Sequence, residues 1–435
     1  MLSVTRLALL ALLVAVAAAS LEVRVRVDKT EVVAGEPLTA RVSMLNAGSQ
    51  PLTLLTWVTP LEGASSDMFR LMHIDTARAA VYKGRIYKRH FPAPIEAYTT
   101  LAAGEARHVE IDLADSYHFL SDGAYQVSLV AFFSGFYGLE ARLDAEAFEF
   151  ELEFVSPAAA LSVRGASPLS LLPPTQTRPH HTLHPDAISY ISCSSTQQSG
   201  IKSALPIAQS DATQAYNYMV AAKYALALSL YLSLSLSLSR SLARSNVAMR
   251  FVVIHLPRCR RCNGAYVTWF GTSTSSRYST VQTNWNKIVA QLKSNNYRFD
   301  CSCDKAGTYA YVYPFDPTFT IYLCRTSLRA AAAVAAAAVA VLPTNATLAS
   351  ELTDAHALVC FRLAAVFWTA PTGSHQFNSR PGTLTHETSH FKAVAGTDDI
   401  QYGEAGCKRL ATTSPNDAIK NADSYEFFQE SNPKC

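Results

Sequence analysis

The chain has 435 residues, 49% of them hydrophobic and 16% charged, and a formal net charge of +3. That length exceeds the usual single domain and predicts two, each able to bury a core of its own. A balance this close to neutral gives no argument for nucleic acid or an anionic membrane surface, and neither is expected as a partner.

Residues 1–19 carry Arg6, an apolar run from Leu7, and then Ala17, Ala18 and Ala19. A charged start, a short apolar stretch and a small-residue end make the layout of a secretory signal peptide, and the stretch is short for a bilayer span. The expectation is a secreted, extracellular protein with no membrane segment once 1–19 is removed. In an oxidising compartment several of the nine cysteines should form disulfides, with at least one left over from the odd count.

Residues 20–155 read as strands. LEVRVRV alternates apolar and charged residues, and VEIDL, YQVSLVAFF and FEFELEFV repeat the alternation between turn-like VAGEPL, NAGSQPL and LAAGEARHV. Period-two patterning with Gly and Pro punctuation predicts an all-β sandwich. This part holds no cysteine and no cluster of metal-ligating side chains, so it reads as a binding, folding or inhibitory module. Residues 156–188, rich in Pro, Ser and His, read as a linker and a natural place for a maturation cut.

Residues 189–435 change character. GIKSALPIAQSDATQAYNYMVAAKYALA is helical, and WFGTSTSSRYSTVQTNWNKIVAQLK is a loop followed by an amphipathic helix. YRFDCSC, TYAYVYP and TFTIYLC are short strands, and helices return near Thr383. Helices with a small sheet make an α+β domain. Two stretches break the pattern, at about 226–265 (LSLYLSLSLSLSRSLARS, then HLPRCRRCNG) and about 325–365 (RAAAAVAAAAVAVLP to HALVCFRLAA). The Leu/Ser alternation reads as an amphipathic strand, and the Ala/Val run as a helix too short to span a membrane. Cys259 and Cys262 have metal-site spacing, but three arginines surround them and no second pair follows, a weak zinc signal.

GTLTHETSHF, residues 382–391, carries the chemistry. His386 and His390 stand four apart, so on a helix both imidazoles leave one face and can bind one zinc ion. Glu387 beside them can take a proton from a metal-activated water attacking a peptide carbonyl, then pass it to the leaving amine. A third ligand is needed. Gly396 and Leu410 occupy the places where other zinc peptidases carry His or Glu, so the candidates are Asp399, with Asp398 and Glu404 competing. Gly396 supplies the turn that would bring this segment back over the helix.

HETSHF followed by GTDD and QYG resembles the aspzincin signature, and within it the peptidyl-lysine metalloendopeptidases, relatives of the deuterolysins. ISCSSTQQS, VTWFGTSTSSRYSTV, VFWTAP and DAIKNADSYEFFQESNP extend the resemblance over most of 190–435, and PLTLLTWVTPLEG and LSDGAYQV extend it more weakly to a deuterolysin-type propeptide. The resemblance implies an α+β zincin-like catalytic domain (189–435) preceded by an all-β sandwich prodomain (20–155). It implies one zinc ion on His386, His390 and Asp399, with Glu387 catalytic and the Tyr402 hydroxyl donating to the tetrahedral oxyanion.

It further implies that Asp423 and Glu426, three apart on a helix, line the pocket for a lysine on the amine side of the scissile bond, whereas such a pair is more commonly a solvated acidic face. Cys193 would pair with Cys301 and Cys303 with Cys324, leaving Cys407 and Cys435 as a further candidate pair. The stretches 226–265 and 325–365 interrupt matching segments and read as inserts foreign to the family, of the kind that translated introns leave. The expected activity is zinc endopeptidase action on protein or peptide substrates, with the chain's own prodomain as a partner. Two alternatives are a deuterolysin-like enzyme of broader specificity and a secreted binding protein without activity.

Overall fold

The computed structural model describes residues 21–94, 97–137, 149–155, 157–167, 188–242, 264–305, 307–325 and 366–433. The expected signal peptide, the stretch 168–187, most of both inserts, and Cys259, Cys262, Cys360 and Cys435 lie outside these residues. Among the described residues the chain forms two compact units. The first holds 21–167 with 304–317 and residues 324, 325 and 366; the second holds 188–242, 264–303, 318–323 and 367–433. The segment 304–317 groups with the first unit.

The first unit runs through β1 (Leu21–Val27), β2 (Glu31–Val33), β3 (Thr39–Asn46), β4 (Leu52–Leu55), β5 (Phe69–His73), β6 (Val81–Tyr82) and β7 (Ile86–Arg89). It continues with β8 (Tyr98–Leu101), β9 (Ala106–Asp112), the single turn α1 (Leu113–Ser116), β10 (Tyr117–His118), β11 (Gly123–Tyr137), β12 (Glu149–Val155) and β13 (Ala159–Arg164). One sheet has the order β1-β3-β9. A larger one has the order β2-β13-β11-β4-β8, with β5 and β12 also pairing to β11. β13 corrects the expected linker at 156–188, because Leu161 and Val163 are buried in the core and carry the sheet past 155. The alternation explains the packing. Leu21 and Val23 of β1 face in while Glu22 and Arg24 face out, and residues of both sheets, among them Val42, Leu54, Leu71, Val127 and Leu161, meet in one apolar cluster.

The second unit opens with β14 (Ser189–Ile191) and α2 (Ser195–Leu242), followed by α3 (Gly264–Phe270) and α4 (Ser275–Ser294). β14 pairs in parallel with β15 (Arg298–Cys303). β16 (Thr308–Val312) belongs to the first unit, and β17 (Thr320–Cys324) adjoins β15. The chain ends in α5 (Val366–Thr369), α6 (Arg380–His390), α7 (Glu404–Thr413), α8 (Pro415–Ala418) and α9 (Ala422–Glu430).

The Leu/Ser stretch corrects the expectation of a strand: 226–242 continues α2 as helix. A helix already nucleated upstream gains one hydrogen bond per added residue, which outweighs a period-two pattern with no partner strand. No helix among the described residues is long and apolar enough to cross a membrane.

α4 shows why this unit folds. Thr274 caps it by accepting from the Arg277 N–H at 3.2 Å, Asn295 ends it in the left-handed region, and Val281, Trp285, Ile288, Val289 and Leu292 form its buried stripe. α6 packs against α2, α4 and α9. On α9, the rings of Tyr425 and Phe428 pack with Phe270 and Trp285, and Phe427 stacks on Trp269. Cys193 is bonded to Cys301, fastening the start of α2 to β15, and Cys303 and Cys324 are both disulfide-bonded.

Candidate metal centre

α6 starts where Ser379 Oγ accepts from the Gly382 N–H at 2.9 Å, a cap worth about 1 kcal/mol. Pro381 sits in its first turn, where a missing N–H leaves no bond unmade. The four-residue spacing places His386 and His390 side by side, ring centroids 4.7 Å apart and planes at 83°. Both are fully buried, as is Glu387.

After Phe391 the chain reverses. Gly396 takes φ +62°, a conformation that a Cβ disfavours, and its N–H donates to the Phe391 carbonyl at 3.1 Å. The turn brings Asp399 Oδ1 to 3.1 Å from His386 Nε2 and 3.5 Å from His390 Nε2. The competing carboxylates face away: Asp398 meets Lys392 at 3.5 Å and Glu404 meets Lys408 at 2.5 Å, with their side chains 49% and 45% exposed.

The far nitrogen of each imidazole is engaged. His390 Nδ1 lies 2.9 Å from the Thr397 carbonyl, and since a carbonyl only accepts, Nδ1 carries the proton and Nε2 offers its lone pair. His386 Nδ1 lies 2.8 Å from Asp423 Oδ1 and 3.2 Å from Glu426 Oε2, which favours the same tautomer. Burial pushes the His390 imidazole down to about 4, against the opposing pull of Asp399, so the ring is neutral near pH 7.

His386, His390 and Asp399 bring ligand atoms within 4.8 Å of one another. His390 Nε2 and both Asp399 carboxylate oxygens are buried without a hydrogen bond, an arrangement that is costly unless another group engages them. Two imidazoles and a carboxylate are a donor set that zinc accepts. A second grouping, His386 with Asp423 and Glu426, shares a histidine with the first through its other nitrogen. With Nδ1 protonated, that grouping supports the first and does not rival it.

Sequence reasoning missed two residues. Asn421, fully buried, accepts from the Ile400 and Gln401 N–H groups at 3.0 Å each, and Asp423 Oδ2 accepts from the Gly403 N–H at 2.9 Å. Together they fasten the segment that carries Asp399 and the half-buried Tyr402 to the start of α9. Glu430 accepts from the Asn378 N–H, the Ser379 N–H and the Ser379 hydroxyl at 2.9, 2.9 and 2.7 Å, anchoring the first turn of α6. A Cβ at Gly382 would overlap Glu430 Oε1, so α6 and α9 approach as closely as only glycine allows. The signal was available: 423, 426 and 430 share one helical face. Asp423 and Glu426, expected to line a pocket, are 2% and 0% exposed and face His386.

Comparison with known proteins bears on this centre. A family model described as lysine-specific metallo-endopeptidase (aspzincin) matches residues 260–359 and 344–430. A peptidyl-Lys metalloendopeptidase of Grifola frondosa is 31% identical over 342 residues, spanning 77% of this chain and 70% of that protein. The chain belongs to the aspzincin family. It is a zinc-dependent metalloendopeptidase, as its family is. An extracellular protease of Aeromonas hydrophila is 27% identical over 395 residues, spanning 90% of this aspzincin and 87% of its own length. The solved zinc peptidase from Grifola frondosa is 30% identical, covering 55% of this chain and 98% of its own, with a TM-score of 0.34.

Proposed function

We propose that this aspzincin is made as a secreted precursor, with 1–19 a signal peptide, a β-sandwich prodomain that runs on from 20–155 to take in β13 (Ala159–Arg164), and a maturation cut in the part of 156–188 that follows β13. In this reading His386 and His390, through their Nε2 atoms, and Asp399 hold one zinc ion. The observation that carries it is the buried convergence of these three donors, with both Nδ1 atoms engaged from behind. Zinc supplies Lewis acidity for water and carbonyl. Glu387 takes the proton of the attacking water and returns it to the departing amine, so the peptide bond breaks with no net change in the protein. Tyr402 donates its hydroxyl to the oxygen that gains negative charge. The extracellular relative supports secretion.

Asp423 and Glu426 select lysine on the amine side of the cut, a reading supported by the relatives named for peptidyl-Lys cleavage. Their burial against His386 Nδ1 favours a second reading, in which they only orient the ligand and specificity is broader.

Digestion of a denatured protein by the matured chain, with and without a zinc chelator and read by mass spectrometry, tests both. The expected result is chelator-sensitive cutting ahead of lysine, with Glu387→Gln slowing turnover by about a thousandfold while zinc content stays unchanged. Cuts unrelated to lysine would select the second reading. Chelator-insensitive cutting would overturn the assigned centre.

A further inference from the structure

The first unit contains a strand from far along the chain. β16 runs antiparallel to β7, with Arg89 opposite Thr308, Lys88 opposite Ala310, Tyr87 opposite Tyr311 and Ile86 opposite Val312, and the His90 N–H extends the ladder by donating to the Gly307 carbonyl at 2.8 Å. Side chains reinforce the ladder on both faces. β16 and its flank present Tyr309, Tyr311 and Tyr313, while β7 and its flanks present Arg85, Lys88, Arg89 and His90.

The Arg85 guanidinium lies 5.3 and 5.7 Å from the Tyr311 and Tyr313 ring centres and donates to the Tyr313 hydroxyl at 2.7 Å. The Lys88 ammonium stands 4.9 Å over the Tyr309 ring, which also stacks on His90. Cations held over aromatic faces away from water bind more strongly than exposed ones, and Lys88 is 1% exposed. Arg89, 4% exposed, donates to Thr308 Oγ1 at 2.9 Å and to Glu62 Oε2 at 2.7 Å. Glu62 also meets Lys305 at 3.7 Å, so one carboxylate faces a cation from each segment. Gly307 sits at φ +62°, where a Cβ would press on Pro94.

We propose that β7 is a latch: it grips β16 by strand pairing and this row of cations on tyrosines, and so keeps residues 21–167 bound to 304–317 after the linker between them is cut. The proposal rests on the reading that maturation cuts in the part of 156–188 that follows β13. Main-chain pairing supplies the affinity, and the alternating Tyr and cation contacts supply the register, as in the addition of a peptide strand to a sheet edge. Cutting the linker removes the covalent tie and leaves every one of these contacts in place.

The test does not depend on the chain's own activity. A recognition site for a sequence-specific processing protease is placed within 168–187 of the Glu387→Gln full chain, and the cut protein is chromatographed in native buffer. The two fragments are expected to elute together at micromolar concentration. The Arg85→Glu/Lys88→Glu chain should raise their dissociation constant by at least about tenfold, since each glutamate removes a cation–aromatic contact and sets a negative charge against the negative face of a ring.

Fragments of the unsubstituted chain that separate, or that stay together equally well with the double substitution, would overturn the latch. Should the double variant fail to fold, hydrogen exchange in the uncut chain decides: protected amides at 86–90 and 308–312 uphold the pairing, and free exchange there overturns it. A natural precursor that is never cut would remove the maturation reading while leaving both outcomes of this test interpretable.

Discussion

The two units bury charge differently. The first closes over aliphatic and aromatic side chains, and its neighbouring buried cations Lys88 and Arg89 lie on one strand, facing tyrosines, a threonine and a glutamate. The second surrounds a single helix with His386, Glu387, His390, Asp423, Glu426 and Glu430, all at or below 2% exposure, and adds the Asp399 side chain at 4%. Burying an ionisable group costs several kcal/mol unless partners compensate, so a fold that needs only a core avoids it. Concentrations of buried charge therefore mark where a molecule does more than hold its shape. The proposed work is catalysis in one unit and grip in the other.

Three measurements would break or sharpen this contrast. The largest effect is expected from Gly382→Ala. The added methyl overlaps Glu430 Oε1 and presses on Glu426 Cγ at 3.1 Å, so the second unit should lose more than about 3 kcal/mol while the first melts unchanged. Calorimetry resolves the two, and equal losses in both transitions would contradict their independence.

Next comes pH. His390 is held near 4 in the fold, below its ordinary value of about 6.5, so between those values the unfolded chain binds the extra proton. Stability of the zinc-stripped second unit should thus be fully present above pH 6.5 and fall by roughly 3 kcal/mol as the pH drops through 4, with His390→Gln flattening that slope. A slope unchanged in the variant would remove His390 as its source.

The smallest effect is expected from Glu430→Gln. It keeps the shape but weakens charge-assisted bonds to Asn378 and Ser379, at a cost of about 2 kcal/mol. Denaturant unfolding measures this, and a chelator competition should show weaker zinc retention as the first turn of α6 loosens. A loss of stability without any change in zinc retention would confine Glu430 to the fold.

Much of this was legible before the fold was seen, for reasons of periodicity. Alternation exposed β1, β9 and β11, and a spacing of four exposed the histidine pair, because both depend on local geometry alone. Asp399 was separable from Asp398 and Glu404 only through the family resemblance, since the choice is made by where Gly396 turns the chain. Asn421 and Glu430 stayed hidden because their roles lie in tertiary hydrogen bonds to backbone groups twenty or more residues away in sequence. β7 stayed hidden because GRIYKRH lacks the apolar alternation of a core strand, its cations finding partners only where Tyr309, Tyr311 and Tyr313 arrive. The Leu/Ser run misled for the opposite reason, a clean alternation lying inside a helix.

The contact between Gly382 and Glu430 has a consequence for how such chains diverge. Neither position is free alone, because any side chain at 382 needs the space that the carboxylate at 430 fills. Across relatives the two should change together, a bulkier residue at one being matched by a shorter one at the other. The smallest residue in the metal helix would then carry a record of its neighbour's size.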